Sequence, residues 1–187
     1  MYNFIADNIN SAHFIFAKFI NFTVVIMHAD GRAYNSNVIK AVLDANHRLK
    51  GDILEKLGIS RDLASEYKVF TEVQFWTNSS KGEFMIADIV LVKYEGTRVA
   101  DVILVENKLS QATDYTQRQE AGWNLINKEG KLEVKARKES EIVSDQKRLE
   151  EGSLITFDSD KLLKVHDDGK PDGLFHFEKI NTENYNK

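Results

Sequence analysis

Residues Ile86 to Lys108 read IADIVLVKYEGTRVADVILVENK, two aliphatic runs that meet at Tyr94-Glu95-Gly96-Thr97. Short apolar runs bounded by turn residues are the pattern of neighbouring strands in a sheet core. Side chains alternate across a strand, so Glu106 and Lys108 share one face while Asn107 points to the other. Asp88 lies inside the first run, and Glu106 and Lys108 close the second. Asp88, Glu106 and Lys108 therefore enter strands rich in Val, Ile and Leu.

A buried carboxylate or ammonium without a partner is costly, so the chain must supply one. A divalent cation is the obvious candidate. Phosphodiester hydrolysis needs a strong nucleophile at neutral pH and neutralisation of the charge that builds on phosphorus. Hard oxygen ligands holding Mg²⁺ meet both needs. Asp88 and Glu106 are suitable ligands, and the backbone carbonyl of Asn107 adds a third oxygen. Lys108 would either position or deprotonate the attacking water, or stabilise the pentavalent transition state.

Working outward, Val69 to Trp76 alternates as a strand, and Asn78-Ser79-Ser80-Lys81-Gly82 turns the chain into the strand from Phe84 to Val92. Arg98 to Lys108 is the third strand. Upstream, Val38, Val42, Leu49, Ile53, Leu54 and Leu57 fall at helical spacing, with Gly58 as a stop and Gly51 as a break between two helices. Downstream, Thr116 as N-cap and Gln119 three residues on predict a capping box that opens a helix ended by Gly130. Lys131 to Ala136 and Leu154 to Phe157 read as strands around a polar helical stretch from Glu139 to Glu151. The tail KVHDDGKPDGLFHFEKI reads as a hairpin.

A chain of 187 residues, with 42% hydrophobic content and no proline-, glycine- or serine-rich linker, is long enough for one well-cored domain over 1–187. The expected core spans about 50–137, with an N-terminal helical extension over 1–58 and a C-terminal hairpin over 154–180. The absence of cysteine excludes disulfides and thiolate metal sites. Within the first 28 residues, FIFAKFINFTVVIM is interrupted by Lys18, Asn21 and Thr23, and no basic residue precedes Lys18. It reads as a buried first element rather than a leader or membrane anchor.

The net charge of -4 gives no bulk attraction to nucleic acid. Arg118, Lys128, Lys131, Lys135, Arg137, Lys138, Lys147 and Arg148 nevertheless crowd the segment after Lys108, and an acidic protein can carry a basic groove. The five histidines show no zinc-binding spacing, and no phosphate-binding glycine loop or serine-hydrolase elbow is present.

Ala87-Asp88 in one hydrophobic strand and Glu106-Asn107-Lys108 closing the next resemble the PD-(D/E)XK nuclease superfamily, without its proline. The resemblance covers roughly 50–137. It implies an α/β fold with a central mixed β-sheet flanked by helices, restriction-endonuclease-like. It also implies a Mg²⁺- or Mn²⁺-dependent endonuclease that leaves a 5′-phosphate and a 3′-hydroxyl, with DNA as the expected substrate. Gln119 with Trp123 one turn later resembles the glutamine and aromatic that often follow in such nucleases; Gln117 is its rival. An upstream acid at the metal is also common there, and Glu72 in VFTEVQFW is the first choice, ahead of Glu66 and Glu55.

The compact size and the Leu109 to Gln119 loop look similar to nuclease toxin domains of bacterial competition, which would act in a target-cell cytoplasm and have an immunity protein. A stand-alone restriction or repair nuclease in its own cytoplasm is the other form. A non-catalytic module on the same scaffold, binding an immunity or regulatory partner, is the alternative from a different class, and no membrane partner is expected. A second Glu-X-Lys, Glu133-Val134-Lys135, reads as a solvated edge strand, and the literal Pro171-Asp172 as a turn. Asp101, at an odd offset from Glu106, belongs to the opposite face.

Overall fold

The computed structural model describes residues 31–139, 149–167 and 175–185. Helix α1 covers 31–42 and α2 covers Arg48–Lys56. Strands β1 (Tyr67–Asn78), β2 (Glu83–Glu95) and β3 (Arg98–Asn107) follow as a meander. Helix α3 (Gln117–Glu129) leads to β4 (Lys131–Glu139), β5 (Leu154–Thr156), β6 (Leu162–His166) and β7 (His176–Lys179).

The seven strands form one sheet in the order β5-β4-β1-β2-β3-β6-β7. Every pairing is antiparallel except β3 with β6, so the sheet is mixed and the chain is α/β. Helices cover both faces. Trp123 and Ile126 of α3 pack with Phe75, Met85, Ala87, Val102 and Leu104 on one side. Val38 of α1, with Leu49 and Ile53 of α2, packs with Val69, Ile89, Leu91, Ile103 and Val105 on the other.

Local chemistry explains the joints. Glu95 pairs with Arg98 across a two-residue loop whose first member, Gly96, has φ 62°. A tight hairpin of this kind needs positive φ there, which glycine supplies without a Cβ clash. Thr116 and Gln119 form the expected capping box, and Gly130 closes α3 in the left-handed conformation.

Gly51 does not break the first helical region. The interruption falls at 43–47, where Asn46 N–H bonds the Asp44 side chain at 3.1 Å and His47 takes φ 54°. Gly51 is instead buried inside α2, where a Cβ would stand 2.7 Å from Cγ of Arg61. That arginine in turn holds Asp52 and Glu55 of the same helix.

The strand carrying Glu133 and Lys135 is not at the sheet edge either, since β5 pairs along Lys131 to Glu133 and forms the edge itself. The tail hairpin is present as β6 and β7. Residues 140–148 of the expected polar helix, the turn with Pro171 and the 1–28 segment lie outside the described residues. No helix among the described residues is long and apolar enough to cross a membrane.

The alternation of side chains breaks once in each of the two central strands, and at the same level. On the α3 face the core residues are Phe70 in β1 and Val90 and Val92 in β2, but then Val73 and Phe75, and Met85 and Ala87. The switch from even to odd numbers passes through Glu72 and Asp88. Thr71 pairs with Ile89 and Val73 with Ala87, so these two residues stand opposite each other. Glu72 has φ 52°, a left-handed value that costs a non-glycine residue ~1–3 kcal/mol and concentrates at functional sites.

Candidate active site

The hydrogen-bonded ladder between β2 and β3 runs from Glu95 with Arg98 to Ile89 with Val105. Beyond that point the Asp88 side chain takes the place of a backbone acceptor, receiving Asn107 N–H at 2.9 Å. The strands part here, and Asp88, Glu106 and Lys108 meet at the opening. Asn107 faces the other way, as alternation requires, and its side-chain amide donates to Asn35 of α1.

Glu106 is almost fully buried at 1% exposure. Its Oε1 accepts from Lys108 Nζ at 3.2 Å and from Gln119 Nε2. Its Oε2 is buried without a hydrogen-bond donor. Burial, followed by the neighbouring Asp88 carboxylate, pushes the Glu106 carboxyl well above its ordinary range, against the pull of Lys108. Burial raises Asp88 as well, partly offset by the Asn107 N–H.

Gln119 works in two directions at once. Its Oε1 accepts from Thr116 N–H at 3.0 Å, completing the cap of α3, and from Lys108 Nζ at 3.0 Å. Its amide nitrogen serves Glu106. The start of the helix and the geometry of the charged residues are therefore fixed by one side chain. Trp123, one turn on, is fully buried and meets Tyr115 edge-on, ring centroids 5.7 Å apart. Lys108 Nζ also lies 5.3 Å from the centre of the Tyr115 ring.

Gly122 sets the depth of α3. A Cβ there would land on the Met85 sulfur, so the helix can approach β2 only because the position is glycine.

Glu72, Gln74, Ile86, Asp88, Thr116, Gln117, Arg118 and Gln119 line an open cleft of about 860 Å³ beside these groups. Glu72 is exposed at its rim, and its charge adds to the upward push on Asp88. Its rivals are engaged elsewhere, Glu66 with Lys93 at 2.7 Å and Glu55 with Arg61 at 2.9 Å. Gln117 lines the cleft, but the glutamine bonded to Glu106 and Lys108 is Gln119. Asp101 is on the opposite face, bonded to Tyr67 and Lys161.

Two residues of the site escaped the sequence reading. Lys164, 6% exposed, stands next to Glu106 in the parallel β3–β6 register and donates to the main-chain carbonyls of Gln111 and Thr113. Tyr115 receives both Lys108 and Lys164 over its ring. A lysine inside Leu-Leu-Lys-Val-His was the available signal, of the same kind as Lys108 in its strand.

Among the described residues no group of three His, Cys, Asp or Glu side chains converges as a ready metal cage. The Asp88–Glu106 pair does offer hard oxygen atoms, one of them buried without a donor. Mg²⁺ is commonly bound by only one or two carboxylates, with water completing the shell. The donor set therefore fits such a cation. No protein-family profile, curated protein or solved structure matches the chain.

Proposed function

We propose that the chain is a metal-dependent endonuclease of the PD-(D/E)XK type, with a restriction-endonuclease-like sheet, hydrolysing phosphodiester bonds in nucleic acid. The observation that carries this reading is the Glu106 carboxylate, buried between Lys108 and Gln119 and close to a second carboxylate, at an opening in the sheet beside a cleft. A structural ion pair needs one carboxylate and one ammonium. The second carboxylate raises the cost of the arrangement, which a site built for a cation explains.

Asp88 and Glu106 would hold Mg²⁺ or Mn²⁺, with the Asn107 carbonyl and Glu72 as further ligands. Such a cation, when bound, neutralises charge at the phosphate and acidifies water. The rest falls to the chain's own groups. Lys108, donating to Glu106 and Gln119, is placed to offset charge developing on the phosphate oxygens. Gln119 keeps Lys108 and Glu106 in register. The first turn of α3 borders the cleft, and its N–H groups and dipole favour a phosphate there. DNA is the first substrate to test, with a 5′-phosphate and a 3′-hydroxyl as products.

A plasmid-nicking assay in Mg²⁺ and in Mn²⁺ tests this with the parent chain, Glu106→Gln and Lys108→Ala. The parent nicks, and each variant loses at least about a hundredfold in rate while keeping its fold. Nicking that survives both substitutions overturns the site. No cleavage of DNA or RNA in either metal points instead to a non-catalytic module that binds an immunity or regulatory partner.

A further inference from the structure

We propose that the outer face of the β1–β2 hairpin, past the level of Glu72 and Asp88, is a stacking ledge for an unpaired nucleic-acid strand. This rests on the nuclease reading and names the form of its substrate. Past the break in alternation, Gln74 and Trp76 of β1 and Phe84 and Ile86 of β2 turn away from the α3 core. The helices on that side cover Val69, Ile89 and Leu91, at the other end of the same strands. Trp76 and Phe84 meet edge-on at 6.3 Å and are both partly exposed, and Ile86 is 39% exposed.

Cations frame these rings. Lys135 Nζ lies 4.2 Å from the Phe84 centroid and 5.2 Å from that of Trp76, and it donates to Gln74 at 2.7 Å. Arg118, from the first turn of α3, lies 5.3 Å from the Phe84 centroid. Lys135 and Arg118 stand over these partly exposed rings, and proteins hold single strands with such sets, the rings taking bases as the cations swing to the phosphates. A duplex keeps its bases stacked on one another and leaves the rings without a use. Gln74, Ile86 and Arg118 also line the cleft at Asp88, so a strand on the ledge runs directly to the carboxylates.

The chain has two tryptophans, and Trp123 is fully buried, so Trp76 is the reporter. A mixed-sequence single-stranded oligonucleotide, added to the full chain with a chelator present, quenches Trp76 emission, and the same strand annealed to its complement binds at least about tenfold more weakly. Arg118→Ala and Lys135→Ala each weaken single-strand binding about tenfold, and Trp76→Phe removes the quenching. Equal affinity for duplex, no quenching, or a Trp76 already shielded from iodide in the free chain overturns the ledge. Metal-dependent nicking without quenching sinks the ledge and leaves the nuclease reading intact. Quenching with no cleavage in any metal does the reverse.

Discussion

Lys164 sits beside Glu106 in the parallel register of β3 and β6, and its ammonium donates to the main-chain carbonyls of Gln111 and Thr113. The buried lysine thus ties the loop leading into α3 to the floor of the site. Lys164→Met keeps the bulk and removes the donors, and losing hydrogen bonds from a charged group costs ~2 kcal/mol. The expected result is a lower melting temperature and a lower nicking rate, with Mn²⁺ still stabilising the fold. A nicking rate equal to that of the parent would separate the loop from function.

A cation held between Asp88 and Glu106, as proposed, would bind the folded chain alone and so stabilise it by mass action, by ~2.7 kcal/mol at a hundredfold excess over its dissociation constant. Mg²⁺ or Mn²⁺ should raise the melting temperature of the parent. Asp88→Asn should abolish the rise while leaving the apo melting temperature close to that of the parent, because it relieves the crowding of two carboxyls. A full metal-induced rise in that variant would place the cation elsewhere.

Gly122→Ala sets two effects against each other. Alanine favours helix over glycine by ~1 kcal/mol, whereas forcing a methyl into a filled core costs ~1–3 kcal/mol. Met85 is fully buried, so the clash should win, lowering the melting temperature and displacing Gln119 one turn away. Adding Met85→Ala should restore part of the loss, and a double-mutant cycle reads the coupling. Strict additivity would show that α3 does not press on Met85.

Asp101 gives the pH dependence. Burial pushes its carboxyl up, but the Lys161 ammonium at 2.7 Å and the Tyr67 hydroxyl at 2.6 Å outweigh that and hold it below the usual range. A depressed folded value means the stabilisation is present above the unfolded aspartate value, ~3.9, and is lost as pH falls through the folded one. Asp101→Asn should therefore lower the melting temperature at neutral pH and flatten the acid limb of the stability curve. A deficit that stays constant down to about pH 2 would contradict the linkage.

Much of this was legible because it is local. Alternation alone put Glu106 and Lys108 on one side and Asn107 on the other, and Thr116 with Gln119 announced the start of α3. The pairing of β6 beside β3 was not legible, since it joins residues more than fifty positions apart with no shared local signal. Gly51 misled because a glycine in a helix reads as a break, whereas here it answers to the bulk of Arg61. The even-to-odd switch at Glu72 escaped because it depends on a backbone angle that glutamate does not advertise.

That switch ties the lengths of two strands together. Glu72 and Asp88 face each other where the parity changes, so removing or adding a residue on one side alone would carry every later side chain of that strand to the wrong face. Related chains, when compared, should show the helical-face and open-face positions trading places at this level, with any gap in β1 matched by one in β2. The acids at the crossing are thus also the seam between the half-sheet packed under α1 and α2 and the half that carries the partly exposed Trp76, Phe84 and Ile86.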